Sequence, residues 1–175
     1  TVGDLDILVE AGDRDEAADC IVAYKGIKDV ISKGREKISV RLHDGLQVDF
    51  RFFESGSFGA ALMYFTGSKQ HNIRLRQRAQ QRDWKLNEYG LFKGDNKLAG
   101  NTEEAVFHRL NLAWVAPELR EDRGEIEAAE NSSLPSLLSL DDIQGDLHCH
   151  TTASDGKDTV ETMVAAAREH GYSYL

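Results

Sequence analysis

The sequence predicts a mixed α/β (α+β) protein made of short strands and helices of moderate length. Residues 37–42 and 46–53 alternate apolar and polar side chains with period two, which is typical of half-buried strands. The dipeptide Asp44-Gly45 lies between them and favours a hairpin turn. Residues 13–24 instead carry their apolar side chains at helical spacing. A hydrophobic content of 41 % and a charged content of 29 % fit a globular chain rather than a disordered one.

The other elements of the first half follow from the same patterns. Residues 5–10 form a short, apolar, β-prone run, which indicates a buried strand. Residues 57–65 are predicted to form an apolar helix, and Gly67 is suited to end it. Residues 70–82 are expected to form a helix with one strongly basic face.

In the second half, the patterns indicate a hairpin, a helix, a linker, and then a strand followed by a helix. These elements are expected, in order, at residues 85–92 with 96–99, 102–112, 121–144, 146–150 and 158–171. The turn of the hairpin is placed at Gly94-Asp95. The linker is inferred from mixed charge, an Asn-Ser-Ser run and Pro135.

Charge is distributed unevenly along the chain. The net charge is −9, yet residues 66–85 contain six basic side chains and one acidic side chain. A local basic stripe is what attraction to phosphate needs, so the acidic average does not exclude a nucleic-acid partner. The two cysteines, Cys20 and Cys149, lie far apart, which favours a reducing compartment and therefore the cytoplasm. No apolar run approaches the roughly 20 residues of a membrane helix, so no membrane association is expected.

Both ends of the chain indicate a piece of a longer protein. The sequence starts at Thr1 without an initiator methionine and enters a patterned acidic motif at once. It stops at Leu175 inside an apolar stretch. A signal peptide is not expected at such a start.

Three aspartates form the first candidate site. Asp4 and Asp6 are two residues apart, so in a strand they project to the same face. Asp49 lies on the second hairpin strand, sharing a face with Gln47 and Arg51. If the two strands are neighbours, the three carboxylates converge and need a divalent cation to offset their repulsion. Two such ions roughly 4 Å apart would support in-line displacement at phosphorus, whereas the alternative is a turn with solvated carboxylates.

An aromatic segment and a basic helix form the second candidate site. Tyr64-Phe65-Thr66-Gly67-Ser68 is followed by Asn72, Arg74 and Arg76. Gly67 would let the backbone approach a nucleotide, while an aromatic ring could face its sugar or base and arginines could reach phosphates. The alternative is a helix end followed by a solvated charged helix.

Taken together, four motifs resemble the palm and thumb of a family-X DNA polymerase, the DNA polymerase beta type. The resemblance covers about residues 1–125 and rests on their order and spacing. The motifs are Gly3-Asp4-Leu5-Asp6, Gln47-Val48-Asp49-Phe50-Arg51, Tyr64-Phe65-Thr66-Gly67-Ser68 and Leu86-Asn87-Glu88-Tyr89.

The resemblance implies a role for each matched residue. Asp4 and Asp6 would bind both metal ions, Mg²⁺ or Mn²⁺, and Asp49 the catalytic ion near the primer terminus. Further side chains would contact DNA or the incoming dNTP. Tyr64, Phe65 and Gly67 would line the sugar, Asn72 the nascent base pair and Arg76 the template, with Arg51 linked to closure and Lys69, Arg74, Arg76 and Arg78 contacting DNA. The family also has a Gly-Ser motif that grips the triphosphate upstream of the aspartate pair, and this sequence starts after that position.

A third candidate site lies near the C-terminal end. His148 and His150 alternate around Cys149 and are followed by Ser154-Asp155-Gly156. A bare His-x-His pair is also compatible with a purely structural role. With Thr151 and the Ser-Asp-Gly turn, the motif resembles the opening of a PHP phosphoesterase domain, which bacterial family-X polymerases commonly carry after the thumb. The resemblance implies that His148, His150 and Asp155 bind Zn²⁺ or Mn²⁺, with the later ligands of that domain lying beyond residue 175.

These resemblances predict nucleotidyltransferase palm strands, a small α+β thumb, and the first strand and helix of a PHP (β/α) barrel. The expected bounds are 1–66 for the palm, 67–125 for the thumb, 126–144 for a linker and 145–175 for the PHP start. The expected function is template-directed, gap-filling DNA synthesis by a monomer on primer-template or gapped DNA, with a 3′-5′ exonuclease or phosphoesterase in the same protein. Three alternatives remain: another nucleotidyltransferase, a protein that is chiefly a PHP phosphatase, and a non-catalytic DNA-binding piece.

Overall fold

A computed structural model describes residues 3–175 of the chain. The chain divides into two compact units, one reaching to Leu134 and one running from Pro135 to Leu175. Within residues 3–175, no helix is both long enough and apolar enough to cross a membrane.

The first unit begins with a four-stranded sheet and a helix packed on it. The strands are β1 (Asp4–Val9), β2 (Ile27–Lys33), β3 (Lys37–Leu42) and β4 (Gln47–Phe52), and the helix is α1 (Arg14–Val22). The strand order is β1-β4-β3-β2, with β1 parallel to β4 and the other pairs antiparallel. The predicted strand at 5–10, the helix at 13–24 and the hairpin at 37–53 are therefore confirmed.

One face of this sheet is apolar because the period-two pattern places its aliphatic and aromatic side chains together. Ile38, Val40, Val48 and Phe52 are buried there against Ala18 of α1. The polar side chains that alternate with them along the same strands consequently project from the opposite face of the sheet.

The sequence patterns missed β2. Its pairing with β3 contains two irregularities, between Ile27 and Asp29 and between Val30 and Ser32. Each irregularity shifts the alternation of side chains by one position, so the strand shows no sustained period-two signal.

The remainder of the first unit, called here the thumb, is a second α+β layer. It contains α2 (Phe58–Thr66), α3 (Lys69–Gln80), β5 (Lys85–Asn87), β6 (Gly90–Lys93), β7 (Asn96–Ala99), α4 (Glu103–Arg109) and α5 (Glu125–Glu130). Leu75, Leu91, Phe107 and Leu110 are completely buried in its core. Gly59 lets α2 approach the start of α4, since a Cβ there would lie 2.2 Å from Thr102 Cα.

Two sequence expectations are wrong in the thumb. The run 85–92 is not one strand of a two-stranded hairpin but splits into β5 and β6, which form a three-stranded sheet with β7. Tyr89 N donates to Asn87 Oδ1 at 3.0 Å, which closes the turn between them. The expected linker 126–144 also begins too early, because Ile126 and Ala129 of α5 are buried in the thumb core. A helix of six residues with two core side chains is too short to give a periodic signal.

The second unit contains α6 (Val160–Glu169), which confirms the predicted C-terminal helix. Thr159 caps it by accepting a hydrogen bond from Thr162 N at 3.2 Å. The strand expected at 146–150 is wrong: in this region the structure has only an isolated bridge between Gly145 and Tyr174. His148 has a φ of 65°, which is outside the strand region of backbone conformation.

Candidate active site

The polar face of the sheet brings the predicted aspartates onto adjacent strands. In the parallel pairing of β1 with β4, Asp4 lies opposite Gln47 and Asp6 lies opposite Asp49. Residues two apart on one strand share a face, so Asp4, Asp6 and Asp49 all belong to the polar face. The predicted carboxylate cluster required the two strands to be neighbours, and β1 and β4 are neighbours.

Asp49 is the most enclosed member of this group, with 4 % of its surface exposed. Lys37 Nζ donates to its Oδ2 at 2.8 Å, and Gln47 Nε2 donates to its Oδ1 at 3.2 Å. Burial raises the pKa of Asp49, but hydrogen bonds from Lys37, Ser39 and Gln47 outweigh it and hold the pKa below its usual value. Asp49 is therefore a charged carboxylate at neutral pH despite its burial.

Sequence reasoning missed the contribution of β3 to this site. In the antiparallel pairing of β3 with β4, Ser39 lies opposite Asp49 and Lys37 lies opposite Arg51. The alternating polar residues of 37–42 indicated that β3 has a polar face, but only the strand register shows which of these side chains reach Asp49.

Arg51 connects the aspartates to the aromatic segment. Its Nε donates to Asp6 Oδ1 at 2.6 Å, and its Nη2 lies 3.6 Å from Asp49 Oδ2. The guanidinium carbon also lies 4.7 Å from the centre of the Phe65 ring, a cation–π distance. The polar face and the end of α2 thus meet at one side chain.

The donor set of the polar face fits a hard divalent cation, because carboxylate oxygens are the ligands that Mg²⁺ and Mn²⁺ prefer. In the arrangement seen here, Arg51 binds Asp6 and Lys37 binds Asp49. Across residues 3–175, no three His, Cys, Asp or Glu side chains converge closely enough to hold a metal ion. A divalent cation at this face would compete with these two basic side chains for the carboxylates.

The aromatic segment forms one wall of a cavity of about 450 Å³. The lining residues come from the end of α2, the turn and the start of α3, and they are Tyr64, Phe65, Thr66, Gly67, Ser68, Lys69, Asn72 and Arg76. Gly67 ends α2 with a φ of 74°, in the region that favours glycine. The structure thus brings all the predicted nucleotide-facing residues of this segment to one concave surface.

The basic side chains of α3 divide between two surfaces. Lys69 and Arg76 line the cavity. Arg74 instead forms ion pairs with Asp122 and Glu127.

Arg78 is engaged in the same way as Arg74. It donates to Leu110 O at 2.8 Å and to Glu130 Oε1 at 2.7 Å. The helix expected to present one basic face to phosphates therefore directs two of its arginines to carboxylates of the thumb.

The histidines of the second unit are adjacent even though they do not lie on a strand. The rings of His148 and His150 stack with their centres 5.1 Å apart. Asp155 binds Nδ1 of His150, and this hydrogen bond lowers the pKa of Asp155. Asp155 thus contacts His150, an arrangement in which a carboxylate orients an imidazole and leaves its Nε2 available to a metal ion.

Comparison with known proteins identifies relatives of both halves of the chain. The family model described as DNA polymerase beta thumb matches residues 61–121. The chain is 36 % identical over 180 residues to the DNA polymerase/3'-5' exonuclease PolX of Bacillus subtilis (strain 168), covering 100 % of the chain and 31 % of that protein. It is 34 % identical over 83 residues to DNA polymerase IV of Saccharomyces cerevisiae, covering 47 % of the chain and 14 % of that protein.

Solved structures show the same fold at lower identity. The ternary primer-template complex of Leishmania infantum polymerase beta matches with a TM-score of 0.55 and 23 % identity, over 69 % of this chain and 62 % of that one. The ternary gap complex of the same polymerase matches with a TM-score of 0.54 and 22 % identity, over 66 % and 56 % respectively. The chain spans about a third of the length of its Bacillus relative.

Proposed function

Because the chain belongs to the family-X DNA polymerases, we propose that it supplies catalytic palm strands and the thumb of a template-directed, gap-filling DNA polymerase. The observation that carries the proposal is the pairing of Asp6 with Asp49 on parallel strands. Arg51 joins this pair to the wall of the cavity at Phe65. The reaction is transfer of a deoxynucleotide to a primer 3′-hydroxyl with release of pyrophosphate.

In this proposal Asp4, Asp6 and Asp49 hold Mg²⁺ or Mn²⁺. A pair of such ions, when bound, lowers the pKa of the attacking hydroxyl and offsets charge on the leaving pyrophosphate. Asp49 is suited to this role because its lowered pKa keeps the carboxylate charged at neutral pH. Lys37 and Gln47 hold that carboxylate in place through hydrogen bonds at 2.8 and 3.2 Å.

The cavity receives the incoming dNTP. Tyr64, Phe65 and Gly67 line the sugar, and the rings of Tyr64 and Phe65 pack edge to face with 5.1 Å between their centres. Asn72 faces the nascent base pair. Its amide also donates to Tyr64 O at 2.7 Å, which ties the start of α3 to the aromatic segment.

DNA is the proposed partner of the cavity edge. Lys69 and Arg76 line that edge, and they are assigned to the phosphates and the template. The two Leishmania polymerase beta structures to which the chain is similar are a primer-template complex and a gap complex. The ion pairs of Arg74 and Arg78 inside the thumb favour a stabilising role for those two side chains over DNA binding.

Extension of a primer across a one-nucleotide gap tests the proposal in the full-length protein. Asp49→Asn should lower the rate about a thousandfold, since losing a metal ligand removes several kcal/mol of transition-state stabilisation. Gapped-DNA affinity should be nearly unchanged. The matched control is Asp29→Asn, which removes an exposed carboxylate from β2 of the same sheet. Normal extension by Asp49→Asn would contradict the assignment, and wild-type protein that binds gapped DNA without extending it would favour the non-catalytic alternative.

The same assay separates the polymerase from other nucleotidyltransferases. A polymerase selects the dNTP that pairs with the template base opposite the gap. A transferase acting on RNA ends or small molecules would add nucleotides without regard to that base.

A second activity, metal-dependent phosphoester hydrolysis, is proposed for the unit that starts at Pro135. The supporting observations are two pairwise contacts, the stacking of the His148 ring on the His150 ring and the hydrogen bond between His150 and Asp155, among side chains whose nitrogen and oxygen atoms suit Zn²⁺ or Mn²⁺. The name of the Bacillus relative includes a 3′-5′ exonuclease, which agrees with 3′ trimming. His150→Ala should reduce release of a 3′-terminal nucleotide and spare gap filling. Equal loss of both activities would contradict a separate site.

The proposed organisation is a palm that ends before α2, a thumb from about residue 58 to about residue 134 in place of the expected 67–125, a linker, and a PHP domain starting near residue 145. Both thumb boundaries move because α2 and α5 contribute side chains to its core, and the first compact unit ends at Leu134. The protein is proposed to act as a cytoplasmic monomer.

A further inference from the structure

The turn that lines the cavity is held from behind by the segment 120–125. Ser68, the first residue after the turn, donates its backbone N–H to Arg120 O at 3.0 Å. Ser68 Oγ also accepts from His71 N at 3.4 Å and caps α3. The cavity wall and the first turn of α3 therefore depend on where segment 120–125 lies.

His71 joins α3 to that segment from inside the thumb. It precedes Asn72 in sequence, but its side chain is completely buried, with its ring centre 6.0 Å from that of Phe107. Nδ1 of His71 lies 2.7 Å from Oε1 of Glu125. Glu125 in turn accepts from Asp122 N at 3.0 Å and from Arg123 N at 2.7 Å, so its carboxylate organises the loop that follows Arg120.

The chemistry of the pair defines its protonation. Within residues 3–175, Nε2 of His71 is a buried side-chain nitrogen with no hydrogen-bond partner. A proton there would place an unpaired donor in an apolar site, so the proton belongs on Nδ1 and the ring is neutral. Burial lowers the pKa of His71, although Glu125 opposes the change. Burial raises the pKa of Glu125, but the bonds from His71 and the backbone outweigh it.

We propose that His71 and Glu125 are positioning residues that set the width and shape of the nucleotide cavity without touching the nucleotide. The neutral imidazole donates to the carboxylate, and the carboxylate holds the loop whose Arg120 carbonyl binds Ser68. Loss of the bond lets the first turn of α3 shift against the aromatic segment. This inference rests on the proposed polymerase function and adds a pair of residues that lie outside the matched motifs.

Two substitutions of His71 test the role of the donor in the full-length protein. An asparagine amide nitrogen sits near the position of imidazole Nδ1, so His71→Asn keeps the donor, whereas His71→Leu keeps bulk and removes it. His71→Leu should raise the KM for dNTP about tenfold and change the dNTP/rNTP selectivity, because a bond to a charged group is lost from the support of the sugar-facing wall. His71→Asn should raise that KM less than about threefold, although the cavity it leaves costs more thermal stability than the leucine. Affinity for gapped DNA should stay within about twofold in both.

Glu125→Gln probes the bond from its other side, should His71→Leu fail to fold. It replaces one acceptor oxygen by an amide, so it should also raise the KM for dNTP. The matched control is Glu130→Gln, which neutralises another carboxylate of α5 that binds an α3 side chain, Arg78, away from the cavity. The control should lower stability slightly and leave KM and selectivity unchanged.

The outcomes separate three explanations. If the His71 variants lose thermal stability but keep wild-type KM and selectivity, the pair only stabilises the thumb and the inference is wrong. If His71→Asn is as impaired in KM as His71→Leu, packing rather than the donor is responsible, which also overturns it. If wild-type protein fails to extend a primer, the proposed polymerase function fails first and the inference falls with it.

Discussion

The buried pair of Arg120 and Glu103 should be the most sensitive point in the stability of the thumb. Arg120 is completely buried, and Glu103 is 7 % exposed. The guanidinium donates to both carboxylate oxygens, at 2.7 and 2.9 Å, and to Val115 O at 2.9 Å. Trp114 Nε1 donates to Glu103 Oε2 at 2.9 Å, so the carboxylate has three donors in all.

Arg120→Met removes the cation and leaves a buried carboxylate with one donor, Trp114. Breaking a buried pair by removing one partner costs about 3–5 kcal/mol, because the remaining charge is uncompensated. Replacing both partners by apolar side chains removes that charge, so Arg120→Met with Glu103→Leu should be more stable than Arg120→Met alone. The bidentate geometry predicts a coupling of about 2 kcal/mol or more between the two positions.

Urea titration followed by tryptophan fluorescence measures the free energy of unfolding of the thumb. The chain has two tryptophans, Trp84 and Trp114, and both lie in the thumb. The control is Arg109→Met, which removes an exposed arginine of α4 and should change the free energy of unfolding by less than about 0.5 kcal/mol. A loss below about 1 kcal/mol for Arg120→Met, or a double variant whose loss is the sum of the single losses, would refute the reasoning.

Three further predictions concern the contact between α2 and α4, the buried ring of His71 and the basic side chains of α3. Gly59→Ala should destabilise the protein by about 1–3 kcal/mol in urea titration, because the added Cβ would overlap Thr102; wild-type stability would contradict the close helix contact. Burial lowers the pKa of His71, so the folded state prefers the neutral ring. The contribution of His71 to the free energy of unfolding should therefore be fully present above pH 6.5 and decrease as the pH falls below that value. His71→Leu should reduce this dependence of stability on pH. Arg76→Met should reduce the salt dependence of gapped-DNA binding by about one phosphate contact, whereas Arg78→Met should leave it unchanged, and equal slopes for the two variants would contradict the division of α3.

Strands and helices with a sustained period were predictable, because one face of each packs on a core. The polar and apolar faces of β4 followed directly from the alternation of residues 47–52. The strand β2 was not predictable, since its bulges interrupt the alternation. The strand expected at 146–150 is absent from the described second unit because pairing there is limited to one bridge, and a strand is defined by its partner as much as by its own residues.

Some residues of the candidate site were likewise predictable from the local sequence, whereas others depend on partners that are distant in the chain. The positions of Asp4, Asp6 and Asp49 followed from spacing within short segments. The roles of Arg74 and Arg78 could not be read in that way, because the carboxylates that bind them lie 48 to 53 residues later in the chain. A basic helix face and a helix held by ion pairs have the same local sequence, and only the fold distinguishes them.

The cations around Asp6 and Asp49 link the stability of the sheet to its proposed chemistry. Two carboxylates facing each other on neighbouring strands repel, which would oppose the pairing of β1 with β4. Arg51 and Lys37 offset that repulsion, each through a hydrogen bond to a different aspartate. A divalent ion held by Asp6 and Asp49 would compete with the hydrogen bond from Arg51 to Asp6, and the guanidinium of Arg51 lies over Phe65 at the cavity wall. In the proposed function, Arg51 would therefore connect metal binding at the sheet with the aromatic wall of the cavity.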